Sequence, residues 1–559
     1  MMLNQPCTAD ADKSKMDREE LCKEDILDLV IVGAGPHALS LVCRLLEKSP
    51  FDVLSDADHQ RLHHIGKSGG QFAPPFYPCC PTLDLNSCRK RMLVIDGAGG
   101  WMEKWNNSFH AYNIKHLRSP IYFHPDPLDP NALLAFAETQ ERTCELQDIT
   151  SVVDGDKKAK RKKGTRNFTE NDRNQFCTPS SSLFSDFCGS LVDRYFIHDL
   201  VTQGMVTEIL PIKGPNGDIF KITYKVSVTK KSEDRDCCLG GHDVVEHEFK
   251  KVVYSRKVVC ALGNANIPLI PEFVQKIPLD TYPQDRIVHS IELANKKKVP
   301  VPPHLIPKKL LVVGGGLTSA QLVKLGDKYG FTRIVLASRS KLKTKQFDLG
   351  LEWVGRNSNR LHCKFWQKSG SDRRKAIANA KDGGSITPEY MALLEQLKSK
   401  NVLEMRQCST VASAEWQDHE WKVRFSNEDM ESFDMIWLGT GAVMDIQKDL
   451  CFQELQKLYP APVYGGLPEL SSDLKWPGLD LFMMSGYSAL SVGPSAGNLF
   501  GGRIAAQKIA RSIWDSWMKD LQIPSIGVDD LELNDKPDLR TLASMSGSFV
   551  NYWDTLAEA

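Results

Sequence analysis

The sequence predicts an α/β chain built on two doubly wound parallel sheets, the second inserted into the first. Three observations predict it. An apolar strand, a glycine turn and an amphipathic helix follow one another from Ile26 to Leu46. The same succession returns from Lys309 to Ala320, about 280 residues later. Two further short apolar strands, Val258–Gly263 and Met435–Gly441, each end in glycine.

In the first unit, Ile26–Val32 (ILDLVIV) is a near-continuous apolar run, as a strand buried on both faces of a parallel sheet requires. It enters Gly33-Ala34-Gly35-Pro36-His37-Ala38, a G-x-G-x-x-A. Gly33 permits the tight turn, Gly35 lets a pyrophosphate approach the backbone, and Ala38 keeps the helix close to the sheet. Pro36 suits the first helical position, and the helix start offers free N–H groups to phosphate. The ribose-binding acid that should end the next strand is Asp96, closing Arg91–Asp96 (RMLVID) and followed by Gly97-Ala98-Gly99-Gly100-Trp101. Residues 52–90, rich in Pro, Cys and Gly, are then an insertion between helix and strand.

In the second unit, Lys309–Val313 leads into Gly314-Gly315-Gly316-Leu317-Thr318-Ser319-Ala320, with Ser319 where the third small residue belongs. These are two Rossmann-like dinucleotide-binding motifs. The following strand, Thr332–Ala337, ends in Ser338-Arg339-Ser340-Lys341 and carries no acid. Arg339 and Lys341 there favour NADP over NAD, since a guanidinium pairs bidentately with a 2′-phosphate. Two such sites in one chain suggest electrons passing from a nicotinamide to a flavin.

Composition bounds the rest. At roughly 150 residues per domain, 559 residues make about three to four domain equivalents. Lys plus Arg and Asp plus Glu are both 70, which argues against a nucleic-acid partner. The 15 cysteines include no C-x-x-C, so dithiol redox and zinc-ribbon signatures are absent and no metal site is expected. Without a secretory signal at the start of the sequence, the thiols read as reduced and the location as cytoplasmic. No apolar run reaches the 18 residues of a membrane span.

These motifs resemble those of flavoproteins with two dinucleotide-binding domains. Within that group the chain is similar to the class B flavin monooxygenases, which include N-hydroxylating lysine and ornithine monooxygenases, flavin-containing monooxygenases and Baeyer–Villiger enzymes. The likeness rests on Gly33–Ala38 for FAD, Asp96 with Gly99-Gly100-Trp101, Val258–Gly263 and Met435–Gly441 as A-T-G-like strands, and Gly314–Ala320 for NADPH. Leu262 and Gly439 depart from the A-T-G pattern. So does Asp285, which stands four residues before His289 where a Baeyer–Villiger fingerprint has glycine. The resemblance implies FAD and NADPH as cofactors, with a small molecule and O2 as partners. It also implies oxygenation of an amine or sulfide through a flavin C4a-hydroperoxide. The cofactor-binding positions are then Gly33, Gly35, Pro36, Ala38, Asp96, Gly100, Trp101, Gly263, Gly314, Gly316, Ser319, Arg339, Lys341 and Gly441. Asn498 and Leu499 join them, opening a helix after Leu481–Gly486 whose N-terminus would face the flavin.

The segments His116-Leu117-Arg118-Ser119-Pro120 and His124-Pro125-Asp126-Pro127 read as a loop near the flavin, with Arg118 and His116 as candidate catalytic groups. Two other functions stay open: an NAD(P)H–flavin oxidoreductase without hydroxylation, and a non-catalytic flavoprotein scaffold. The expected organisation is a disordered arm (1–25), a split FAD domain (26–300 and 430–520), an NADP domain (305–430) and a peripheral tail (521–559). A second insertion (148–182) carries the basic run Lys157–Lys163, which is a solvated linker or a nuclear-import tag.

Overall fold

The structure, a computed structural model, describes residues 26–47, 91–128, 131–149, 177–214, 217–230, 245–263, 267–295, 301–302, 305, 308–354 and 358–520. The arm, the 52–90 insertion, the basic run at 157–163 and the tail lie outside the described residues.

The first sheet is formed by β1 (Ile26–Val32), β2 (Met92–Asp96), β3 (Val201–Gln203), β4 (Met205–Gly214), β5 (Gly217–Lys230) and β6 (Val245–Cys260). Its last strand, Leu481–Met483, arrives more than 200 residues later. The parallel part has the order β3-β2-β1-β6 and then Leu481–Met483, while β4, β5 and the start of β6 form an antiparallel meander. Register sets the geometry of its upper edge. Val32 pairs with both Ile95 and Cys260, and Cys260 with Met483, so four strands end level on one rim. In open parallel sheets ligands bind outside such a rim, where strand order reverses.

The second sheet repeats the plan with β7 (Ile287–His289), β8 (Lys309–Val313), β9 (Arg333–Ser338), β10 (Leu403–Gln407) and, after the meander β11 (Val411–Gln417), β12 (Glu420–Phe425) and β13 (Met430–Phe433), β14 (Met435–Leu438). Its order is β10-β9-β8-β14-β7, parallel throughout. Val313 pairs with Ala337 and Leu438, and Leu438 with His289, giving a second level rim. Every strand of this sheet falls, in chain order, between β6 and the strand Leu481–Met483 (β15) of the first.

Alternation along the strands explains the layers. Leu310, Val312, Ile334, Leu336 and Trp437 pack under the helices Leu317–Lys328 and Pro388–Ser399. Their neighbours Leu311, Val335, Ile436 and Leu438 face the opposite way, onto Trp421, Phe425 and Phe433 of the meander. In the first unit the helices Pro36–Leu46 (α1) and Leu499–Asp520 pack on each other and on the sheet. A further helix, Ser181–Arg194, is capped by Ser180, whose hydroxyl oxygen accepts from the Leu183 N–H.

Two domain boundaries differ from the sequence expectation. Strands β7 and β14, assigned by position to the first unit, hydrogen-bond in the second sheet. Conversely, Trp353, Phe365 and Ile377, expected in the second unit, pack in the core of the first. They belong to an arm between β9 and β10 whose helices are Ser358–Trp366 (α2) and Gly370–Lys381 (α3). The arm is bonded to the first unit: Trp366 Nε1 donates to the Ser491 carbonyl (3.1 Å) and Arg374 Nε to that of Gly465 (3.2 Å). The two connections between units also pair with each other, Ile267–Pro268 running antiparallel to Ala442–Val443. Among the described residues no helix is long and apolar enough to cross a membrane.

Phe365 is only 1% exposed in the first core although its chain neighbours lead to the second sheet. Truncation to alanine is therefore expected to destabilise the first unit by about 3–5 kcal/mol. Urea unfolding followed by far-UV dichroism measures this; a loss below 1 kcal/mol would mean the arm is not seated there.

Candidate functional site

Each rim carries a glycine turn whose geometry excludes a side chain. Gly33 has φ +105°, and a β-carbon there would stand 2.6 Å from the Ala261 carbonyl oxygen. At Gly35, by contrast, the corresponding direction is empty to 4 Å. Pro36 occupies the first turn of α1, no side chain caps the helix, and Ala38 is fully buried against the sheet. A tight turn, an open second glycine and an uncapped helix start are what a pyrophosphate requires. Asp96 stands beside them. Its Oδ2 accepts from the Ala34 N–H (2.9 Å) and its Oδ1 from the Ala98 N–H (2.7 Å). Each carboxylate oxygen keeps a lone pair for a ribose hydroxyl. Gly263 (φ +68°) and Gly441 (φ +83°) also face open space.

Other predicted ligands have structural partners. Trp101 Nε1 donates to the Ile197 carbonyl (2.8 Å) and the ring packs on the first core, so it anchors the loop after β2. Gly100 is close to Glu103, whose Oε2 would lie 3.0 Å from an added β-carbon. Asn498 caps the helix that begins at Leu499 (α4, Leu499–Asp520): its Oδ1 accepts from the Gly501 N–H at 3.0 Å. The last helix thereby presents its N-terminus at the first rim.

A residue that sequence reasoning passed over joins these two helix starts. His37 Nε2 lies 3.0 Å from the Asn498 carbonyl and Nδ1 lies 2.7 Å from Ser485 Oγ. A carbonyl can only accept, so Nε2 carries the proton and Nδ1 accepts from the serine hydroxyl. Burial holds this ring neutral, drawing its pKa down from 6.5 to about 4 against the opposing Asn498 hydrogen bond. Ser485 itself has φ +59°, an uncommon conformation for a residue with a side chain. Gly502 leaves room for the ring; a β-carbon there would come 2.5 Å from His37 Cδ2. The only local signal is a histidine two places after the second glycine, and its partners lie more than 440 residues away.

At the second rim Gly314 has φ +146°, and a β-carbon would stand 2.4 Å from the Gly439 carbonyl oxygen and 2.3 Å from Ser319 Oγ. Ser319 is fully buried and its hydroxyl donates to Gly439 O at 3.2 Å. It thereby fastens the helix to the end of β14. Gly316 begins the helix Leu317–Lys328 without a side-chain cap. Arg339 and Lys341 are exposed, and among the described residues neither has a hydrogen-bond or ionic partner.

The candidate catalytic groups have partners within the fold. Arg118 reaches into the second unit, with Nε on the Gln346 carbonyl (2.7 Å) and Nη2 on the Lys345 carbonyl (2.9 Å) and Ser385 Oγ (2.8 Å). It is a strut between units. His116 forms a backbone bridge with Ser180 and lies near Glu145, which Arg142 and Ser180 also hold. His124 is fully buried edge-on to Phe187, and Asp126 pairs with Arg194 (2.6 Å). His289 Nδ1 accepts from the Ile291 N–H, and its Nε2 lies 3.2 Å from Thr440 Oγ1.

His37 generates a pH dependence. Its folded pKa lies below the unfolded value, so its contribution is complete above pH ~6.5. It falls as acid protonates the unfolded chain, down to about pH 4. At ~1.4 kcal/mol per unit this amounts to about 3 kcal/mol. Urea unfolding between pH 7 and 4 should show that slope, and His37→Gln should flatten it; an identical slope in both proteins would remove His37 as its source.

No protein-family model matches the sequence, and no curated protein matches it either. Solved structures do match. The ornithine hydroxylase of Pseudomonas aeruginosa superposes with a TM-score of 0.57 at 15% identity, over 88% of this chain and 100% of that one. The ornithine N-hydroxylase of Kutzneria sp. 744, solved with reduced FAD, NADP+ and L-ornithine, gives 0.57 at 14% identity over 88% and 100%. The FAD-bound cadaverine monooxygenase of Erwinia amylovora gives 0.55 at 14% identity over 92% and 99%. At these identities the likeness is one of fold: over 88–92% of its length the chain shares the architecture of these three enzymes.

Proposed function

We propose that the chain is an FAD- and NADPH-dependent monooxygenase acting on a small amine. The observation that carries this reading is the repeated rim: two sheets whose parallel cores share the order third-second-first-fourth strand, each with a glycine turn that opens a helix. The first sheet's unit would take FAD. The second, inserted within it, would take NADPH. The amine rests on the fold neighbours, which act on ornithine and cadaverine.

The residues present fit FAD, because the space at Gly35 and Gly263 is open and the helix after Gly35 starts without a side-chain cap. When bound, FAD supplies hydride acceptance and oxygen activation. The chain supplies position and field. Gly35 and the start of α1 would hold the pyrophosphate, and Asp96 a ribose hydroxyl. The start of α4 at Leu499, oriented through Asn498 and neutral His37, would stabilise negative charge by its dipole. Arg339 and Lys341 would pair with the 2′-phosphate of NADPH. The arm α2–α3 packs beside the turn at Gly493 and would close the substrate side against water.

Purified protein should carry FAD near one equivalent and consume NADPH faster with one or more primary amines than without. Hydroxylated amine should form, with less hydrogen peroxide than NADPH consumed. Peroxide matching NADPH mole for mole across a panel of amines and sulfides would assign the chain to the reductases and oxidases instead. Protein that takes up no FAD would end the reading. Arg339→Ala should raise KM for NADPH about tenfold while leaving that for NADH unchanged, the scale of one charge-assisted hydrogen bond; an equal rise for both would remove the 2′-phosphate assignment.

A further inference from the structure

The second glycine turn is not open as the first is. A β-carbon built on Gly384 would stand 3.1 Å from Gly316 Cα and 3.4 Å from its nitrogen, so the backbone at Gly384 lies in contact with the second glycine of the turn. That glycine is where a dinucleotide pyrophosphate must approach. The contacting loop begins at Asp382, which ends α3 in the left-handed conformation (φ +52°). Lys343 Nζ donates to Asp382 Oδ1 at 2.7 Å and to its carbonyl at 3.0 Å, and Lys345 Nζ to Oδ2 at 3.1 Å. The loop continues through Ile386, whose N–H donates to the Lys343 carbonyl (2.8 Å) and whose carbonyl accepts from the Lys345 N–H (2.9 Å). Between them sits Ser385, bonded to Arg118 of the first unit. One carboxylate thus pairs with two lysines beside a turn whose other cations, Arg339 and Lys341, have no partner among the described residues.

We propose that the Asp382–Ser385 loop is an internal occupant of the second nucleotide site, and that Asp382 competes with the nucleotide's phosphates for Lys343 and Lys345. Phosphate entry lifts Gly384 from Gly316 and transfers the two ammonium groups from the carboxylate to the incoming phosphates. Displacing Ser385 also withdraws one of the three bonds that hold Arg118. Occupancy of the second site is therefore communicated to the loop at residues 116–120 of the first unit. This inference rests on the reading of the second turn as the NADPH site, which the test separates from it.

The test is equilibrium binding of NADP+ by calorimetry to the FAD-loaded protein, for wild type, Asp382→Asn, Lys343→Ala/Lys345→Ala, and the triple variant. Asparagine is the substitution of choice because it tolerates the left-handed conformation, so the loop backbone is kept. Asp382→Asn should bind NADP+ about three- to tenfold more tightly, the range two exposed ion pairs allow. The double lysine variant should bind more weakly than wild type, and adding Asp382→Asn to it should bring no gain. Wild-type binding with an unchanged or weakened Asp382→Asn would overturn the inference and leave the NADPH site standing. So would the same gain in the absence of the lysines. A folded, FAD-loaded wild type that binds neither NADP+ nor NADPH would overturn the site itself, and the inference with it.

Discussion

The structure depends on two places where a β-carbon has no room. The carbonyl oxygens of Ala261 and Gly439 stand within 2.6 Å of where Gly33 and Gly314 would carry one. Each contact lets a turn drop between its own strand and the neighbouring strand, so that the following helix starts at the sheet's upper edge. Both glycines also have positive φ, which any other residue meets with strain. Neither requirement relaxes separately: moving the neighbouring strand would break the parallel ladders that keep the rims level.

From these fixed edges the remaining site is assembled by long-range polar contacts. His37 is neutral because it is buried, and neutral with one defined tautomer because one partner can only accept. It couples the helix after the first turn to the helix that ends the described chain, two elements that share the same edge. Asp96 performs a comparable service across the turn, with both oxygens on backbone N–H groups.

The two units are joined more firmly than paired linkers alone would achieve. Arg118 is tied to two carbonyls and a hydroxyl of the second unit, and the α2–α3 arm buries Phe365 and Ile377 in the first. Both ties lie beside the second turn or the Gly493–Asn498 turn. Arg118 was legible in the sequence only as a polar group in a proline-rich loop, where chemistry and anchoring look alike.

Local pattern determined the strands that lead into the two glycine turns, the turns themselves and the helices that follow them, because burial on two faces and the demand for positive φ leave signatures within a dozen residues. It also singled out Asp96, whose place at a strand end is a local fact, and the basic pair Arg339 and Lys341. Tertiary structure alone decided which unit owns β7, β14 and the arm, since sheet pairing and core burial join residues far apart in the chain. It alone brought Trp101, Ser319 and Arg118 onto the distant carbonyls they bond. It alone found His37 beside Asn498 and Gly384 on Gly316. A hydrogen bond between residues hundreds of positions apart has no periodicity to read; it exists only once the backbone has brought its two ends together.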